Sequence, residues 1–229
     1  MKYYLLSGMN MNNEFFPDIA KVFKKDFKEI DTIVYIPTYP DNEEKCEKLA
    51  KKNIFKNIGI DFKKNIVLNN FCSNDDIKKI IKNNKLFFLY GGDPYKQIEF
   101  IKQYNITPLI KNKFIIGLSA GSINMCRKAI CTKDEDFNFS NMYDGMGLID
   151  FSIEPHFNYN NIEVLADLKK FSKDTDIYAL EDDAYIIVEN EMTNFYREYL
   201  FDSRWQCSKA RATIVTLAFV IHKILMYVG

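Results

Sequence analysis

The chain has 229 residues, 47% of them hydrophobic, which is enough to bury one sizeable core, and its 31 basic residues balance 31 acidic ones. This balance argues against a general attraction to nucleic acid or to an anionic membrane surface and favours a small molecule or peptide as partner. The five cysteines are odd in number and widely spaced, and there are only two histidines, so neither a disulfide framework nor a zinc-ligand pattern is expected.

The segment MKYYLLSGMN turns polar after a few apolar residues, which predicts a first strand at Tyr3–Ser7 rather than a secretory signal, and a cytoplasmic location. Further β-rich runs stand at Thr32–Ile36, Lys85–Tyr90 and Phe114–Leu118. Between them, Glu14–Lys28, Asn42–Asn53, Asp75–Asn83 and Tyr95–Tyr104 carry apolar residues at three- and four-residue spacing, as amphipathic helices do. Ser73 is placed to cap the third helix and Pro94 to occupy the first turn of the fourth. Strand and helix in alternation predict βαβ units and a mostly parallel sheet.

After Ser119 a short helix to about Arg127 is expected, then a loop through Ser140, a strand at Ser152–Glu154, a helix at Asn161–Phe171 and strands at Ile177–Leu180 and Tyr185–Glu189. Residues 1–190 read as a single α/β domain. The tail, 191–229, differs in composition: it holds three of the four arginines (Arg197, Arg204, Arg211) and the single tryptophan, Trp205, so a foreign or frame-shifted origin is considered for it. Its apolar stretch from Ala212 to Val228 is interrupted by His222 and Lys223 and reads as a docked terminal element rather than a membrane span, which needs roughly 20 predominantly apolar residues.

The sharpest chemical signal is Phe114-Ile115-Ile116-Gly117-Leu118-Ser119-Ala120-Gly121-Ser122, an apolar strand entering G-x-S-x-G and then a helical stretch. This is the pattern of a nucleophile elbow, a turn so tight that the residues two before and two after the serine must be small. The helix that follows aims unpaired N–H groups at the same point, making Ala120 N–H a candidate oxyanion donor. A serine hydroxyl needs a base, and His156, directly after a predicted strand, is the choice over His222 in the tail.

The imidazole needs an acid in turn. Glu181 is the expected one, and Asp182, Asp183, Asp134 and Glu154 are also admissible. A second strand-to-helix loop, Leu89-Tyr90-Gly91-Gly92-Asp93-Pro94, allows close backbone approach to a ligand, so Gly92 N–H is a candidate second oxyanion donor; the loop lacks the phosphate-binding pattern.

Taken in order, Gly91-Gly92-Asp93, Gly117-Leu118-Ser119-Ala120-Gly121, Glu154-Pro155-His156-Phe157 and Leu180-Glu181 resemble the dipeptidase E and cyanophycinase peptidases. The resemblance spans roughly residues 3 to 190. It implies a flavodoxin-like three-layer α/β sandwich related to the class I glutamine amidotransferases, with no cofactor, Ser119, His156 and Glu181 as triad, and Gly92 and Ala120 as oxyanion donors. Tyr90 and Asp93 stand where Gly and Asn are common in that loop.

The substrate so implied is a small peptide, and dipeptidase E prefers an amino-terminal aspartate, which calls for a cation in the pocket. No arginine lies between His156 and Glu181, although Lys169 and Lys170 do. Asp134 resembles a family position near the site and is a candidate contact for the substrate amine; Asn158 is a second candidate substrate contact, and a second copy of the chain a candidate partner.

Three rival readings remain. An α/β-hydrolase esterase runs serine, acid, histidine along the chain and would need His222. A glutaminase-like amidase would normally carry Cys at the elbow and Glu at the position of Asn158. A binding module on the same scaffold would leave Ser119 unreactive.

Overall fold

The computed structural model describes residues 1–134, 137–190, 192–201 and 207–208. Four parallel pairings form the spine of the sheet. Strand β1 (Lys2–Leu6) lies beside β5 (Phe114–Leu118), β5 beside β4 (Leu86–Leu89), β4 beside β2 (Thr32–Ile36), and β2 beside β3 (Lys64–Val67).

On its other side β1 meets β9 (Ile177–Glu189) antiparallel, and β9 carries β10 (Met192–Phe201), which pairs with the two-residue β11 (Cys207–Ser208). Strand β8 (Ser152–Glu154) pairs in parallel with the first part of β9. The mostly parallel sheet of a mixed α/β fold is therefore present as expected.

Alternation explains the layers. Tyr3, Leu5, Val34, Ile36, Phe87, Leu89 and Ile115 pack on one face, against Ile77 and Ile81 of α3 (Asn74–Asn83) and Ile98 and Ile101 of α4 (Pro94–Gln103). Their strand neighbours Tyr4, Leu6, Ile33, Tyr35, Phe88 and Ile116 face the opposite way, onto Ile19 and Phe23 of α1 (Pro17–Asp26) and Leu49 of α2 (Glu43–Lys51). A strand buried on both faces shows no polar alternation, which is why these read as continuous apolar runs. Ser73 Oγ accepts from Asp76 N–H at 3.1 Å and Pro94 opens α4, so both helix starts match the sequence reading.

Several elements depart from it. Strand β3 and the short α5 (Thr107–Ile110) were not expected, and the segment expected as a loop through Ser140 contains β6 (Lys128–Cys131), which forms an antiparallel ladder with β7 (Asn141–Asp144). Each is four residues long, too short for a period to declare itself. The two strands expected at 177–180 and 185–189 are one continuous β9, which runs through the acidic Glu181-Asp182-Asp183 that reads as a turn.

Beyond residue 190 the sheet continues: Met192 through Tyr196 of β10 pair with Glu189 through Tyr185. Residues 209–229, including His222 and the apolar stretch from Ala212, lie outside the described residues. No helix among the described residues is long and apolar enough to cross a membrane.

Candidate active site

The site lies at the carboxyl ends of the parallel strands, where successive βα turns converge. Helix α6 (Ala120–Met125) begins immediately after Ser119, which sits at the strand-to-helix junction with φ of 50°. That left-handed value costs free energy for a serine and is held by the surroundings. Ser119 N–H donates to Leu6 O at 2.9 Å, and Ser122 Oγ donates to the same carbonyl, also at 2.9 Å. A Cβ on Gly121 would stand 2.1 Å from Leu89 O, and one on Gly117 would stand 2.7 Å from Ser122 Cα. The elbow therefore closes only with glycine at both places, as the sequence pattern required.

His156 follows β8 by way of Pro155 and also has a positive φ, 54°. Ser7, fully buried at the end of β1, fixes it: Ser7 Oγ accepts from His156 N–H at 2.8 Å and donates to Leu180 O at 3.0 Å. Phe157 N–H donates to the same Leu180 carbonyl at 2.9 Å. One hydroxyl thus joins β1, the histidine turn and β9.

The imidazole bridges two side chains. Its Nε2 lies 2.9 Å from Ser119 Oγ and its Nδ1 lies 2.6 Å from Asp182 Oδ1. A carboxylate only accepts, so Nδ1 carries the proton and Nε2 is free to take the serine proton.

The acid that meets His156 is thus Asp182, one position beyond the expected Glu181. Adjacent side chains on a strand face opposite ways, so a shift of one residue changes the face entirely. The reason lies in the register. Tyr185 pairs with Tyr196 and Leu180 with Glu198, so residues 181–184 of β9 bulge opposite a single residue of β10. The bulge re-aims side chains that regular alternation would have assigned. Glu154 and Asp134, both admissible from the sequence, line the cavity instead.

Gly92 has φ of 124°, and it and Ala120 border the cavity beside Ser119. Neither Gly92 N–H nor Ala120 N–H donates to a protein group among the described residues, which leaves both available to a developing oxyanion. Asp93 caps α4, its Oδ1 accepting from Tyr95 N–H at 3.0 Å and Lys96 N–H at 3.2 Å, as asparagine would at this position.

The loop is braced from below by buried amides. Gln97 Nε2 donates to Ile36 O at 2.8 Å and Tyr90 O at 3.0 Å, and Gln97 Oε1 accepts from Asn124 Nδ2 at 3.1 Å. Asn124 Nδ2 also donates to Pro94 O, and Asn124 Oδ1 accepts from Tyr143 OH at 2.8 Å. Two carbonyls facing Gln97 Nε2 fix the sense of the whole relay, which ties the helix after Gly92 to the helix after Ser119. No sequence signal singled out Gln97 or Asn124, since a buried amide at a helical apolar position looks like a surface residue.

The cavity has a volume of about 310 Å³ and is walled by Ile123, Cys131, Phe137 and Val164 among apolar residues and by Thr132, Lys133, Asp134 and Glu154 among polar ones. Asp134 stands where expected, on the wall, with its Oδ1 accepting from Phe137 N–H at 2.7 Å. Asn158 does not reach the cavity. Its Oδ1 accepts from Asn160 N–H at 3.0 Å within its own turn, and the asparagine on the wall is Asn161, the cap of α7 (Ile162–Phe171).

Glu154 is 5% exposed and accepts from Thr132 Oγ1; burial pushes its carboxyl up to about 8, the Thr132 bond opposing and nearby Asp134 and Asp167 adding to the rise. Burial also pushes the Cys131 thiol up to about 11, so the cysteine on this wall is a thiol at neutral pH and a poor nucleophile.

A family model described as Peptidase family S51 matches residues 4–196. The chain belongs to this family. It is a serine-type peptidase, as the elbow and the resemblance implied. Among solved structures, this S51 peptidase is similar to a protein assigned as peptidase E from Listeria monocytogenes EGD-e, with a TM-score of 0.57 and 18% identity over 85% of this chain and 97% of that one. It is also similar to a peptidase from an acI-B1 Actinobacterium, with a TM-score of 0.58 and 14% identity over 88% of this chain and 87% of that one. At such identities the likeness is one of fold. No curated protein matches the chain.

Proposed function

We propose that the S51 peptidase hydrolyses small peptides through an acyl-enzyme on Ser119, with His156 as general base, Asp182 as its orienting acid, and the N–H groups of Gly92 and Ala120 as oxyanion donors. The observation that carries this reading is the unbroken line from Ser119 Oγ through His156 to Asp182 Oδ1, at 2.9 and 2.6 Å. As Ser119 Oγ bonds to the scissile carbonyl carbon, its proton passes to His156 Nε2, and Asp182 stabilises the imidazolium that results. The imidazolium then returns the proton to the departing amine. Water repeats the sequence on the ester, with His156 again as base.

A cavity of about 310 Å³ lies at the lower end of ligand-pocket sizes, which favours a dipeptide or a similarly short substrate. Asp134 on its wall suits the free α-ammonium of such a peptide. Lys133 is the one cation on the wall among the described residues, and its Nζ is 3.1 Å from Glu163 Oε2. A preference for amino-terminal aspartate would therefore rest on Lys133 leaving that partner, whereas Lys169 and Lys170 do not line the cavity.

The test joins a dipeptide panel to active-site labelling. The native enzyme should release amino acids from unblocked dipeptides and react with a fluorophosphonate. Ser119→Ala should lose the label and at least about 10⁴-fold in turnover while remaining folded. Near-native hydrolysis by that variant overturns the reading.

A further inference from the structure

The Gly91 carbonyl and the Gly92 N–H belong to one peptide unit. All peptide bonds among the described residues are trans, and a trans peptide points its C=O and N–H in opposite directions. What holds the carbonyl therefore aims the N–H. With glycine on both sides, this unit is also the one in the loop freest to turn over, since neither neighbour has a Cβ to resist the coupled rotation.

One side chain holds it. Thr38, 2% exposed and two residues beyond the end of β2, donates from Oγ1 to Gly91 O at 2.9 Å. It is packed so closely there that a Cβ on Gly92 would come within 2.5 Å of Thr38 Oγ1. The two preceding peptides are fixed separately: Tyr90 N–H donates to Ile36 O, and Tyr90 O accepts from Gln97 Nε2. Rotation of the Gly91–Gly92 unit is thus opposed by a single hydroxyl, and Gly92 itself borders the cavity beside Ser119.

We propose that Thr38 is a positioning residue of the oxyanion hole, whose hydroxyl keeps Gly92 N–H turned toward the carbonyl that Ser119 attacks. This rests on the reading of Gly92 as an oxyanion donor. If the hydroxyl is lost, the peptide can turn its carbonyl into the hole, where it repels the developing oxyanion and leaves substrate binding in the ground state largely intact.

The experiment compares Thr38→Val, which keeps shape and loses the donor, with Thr38→Ser, which keeps the donor. Each is measured for kcat and KM on one dipeptide, for fluorophosphonate labelling rate, and for melting temperature. Thr38→Val should lower kcat and the labelling rate by about 10- to 100-fold with KM changed less than about 3-fold, and Thr38→Ser should stay within about 3-fold of native. Should the valine variant not fold, Thr38→Ala reads the same quantities. A folded Thr38→Val with native kcat, or one changed only in KM, overturns the inference. Ser119→Ala run alongside separates the failures: if it loses the label while Thr38→Val labels at the native rate, the nucleophile stands and the Thr38 role falls. Labelling that persists in Ser119→Ala removes the reading on which both depend.

Discussion

The two halves of the site are built differently. Ser119 and Gly92 sit on βα turns of the parallel half, each between a strand and the helix that follows it directly in sequence, and Ala120 opens the helix after Ser119. His156 and Asp182 come from the other half, where β8 and β9 run parallel to each other while β9 runs antiparallel to β1. On the first half the backbone turn dictates which residues are admissible. On the second, the side chain that reaches the imidazole depends on strand register and on a bulge, and several acidic neighbours of the expected Glu181 were also admissible. A nucleophile can thus be found from a short string of residues, whereas its acid is selected by the pairing of strands.

The comparison is tested most sharply at the acid. Asp182→Asn should lower kcat by about 10³- to 10⁴-fold with little change in KM, because an amide at that place permits the wrong imidazole tautomer. Glu181→Gln should remain within about 3-fold of native. Steady-state kinetics on the same dipeptide decide between them, and a larger loss at Glu181 would return the role to the residue expected at the strand's end.

The parallel half is tested by its fit. Gly121→Ala should destabilise the fold by about 3 kcal/mol in urea unfolding, since its Cβ would stand 2.1 Å from a backbone carbonyl that cannot retreat without opening β4. Stability equal to native would mean that the elbow is less constrained than the strand-to-helix turn implies.

At Glu154 the expected effect is on stability alone, and it depends on pH. Its carboxyl is protonated in the fold up to about 8 and ionised in the unfolded chain from the usual carboxylate range upward. Between those values the folded state binds the extra proton, so raising pH favours unfolding. This group's contribution is therefore most favourable at or below the unfolded carboxylate pKa and declines as pH rises to about 8. Glu154→Gln abolishes that decline, so its melting temperature should gain on the native protein from pH 5 to pH 8. A difference that stays constant over that range would mean that Glu154 is ionised in the fold.

Much of the fold was legible because strands buried on both faces must be continuously apolar and the intervening helices must be amphipathic. Tyr3–Leu6, Thr32–Ile36 and Phe114–Leu118 announced themselves in this way, as did Ser73 and Pro94 at helix starts. The four-residue β3, β6 and β7 did not, since each is too short to show a period and its pairing energy comes from a partner strand rather than from its own pattern. Asn158 was expected at the substrate and instead closes its own turn, a local bond that its side-chain oxygen can make in any chain.

The sequence by itself determined the proposed nucleophile, because steric exclusion at Gly117 and Gly121 leaves few ways to read Gly-Leu-Ser-Ala-Gly after an apolar strand. It also determined the proposed base, because the chain has only two histidines and one of them follows a strand. Only the tertiary structure decided that Asp182 faces the imidazole, that Thr38 holds the peptide before Gly92, and that Ser7 joins β1 to the histidine turn and to β9. These are contacts between segments far apart in the chain. Their geometry is set by how the strands pair and, at Asp182, by the bulge in β9, quantities that no local string of residues encodes.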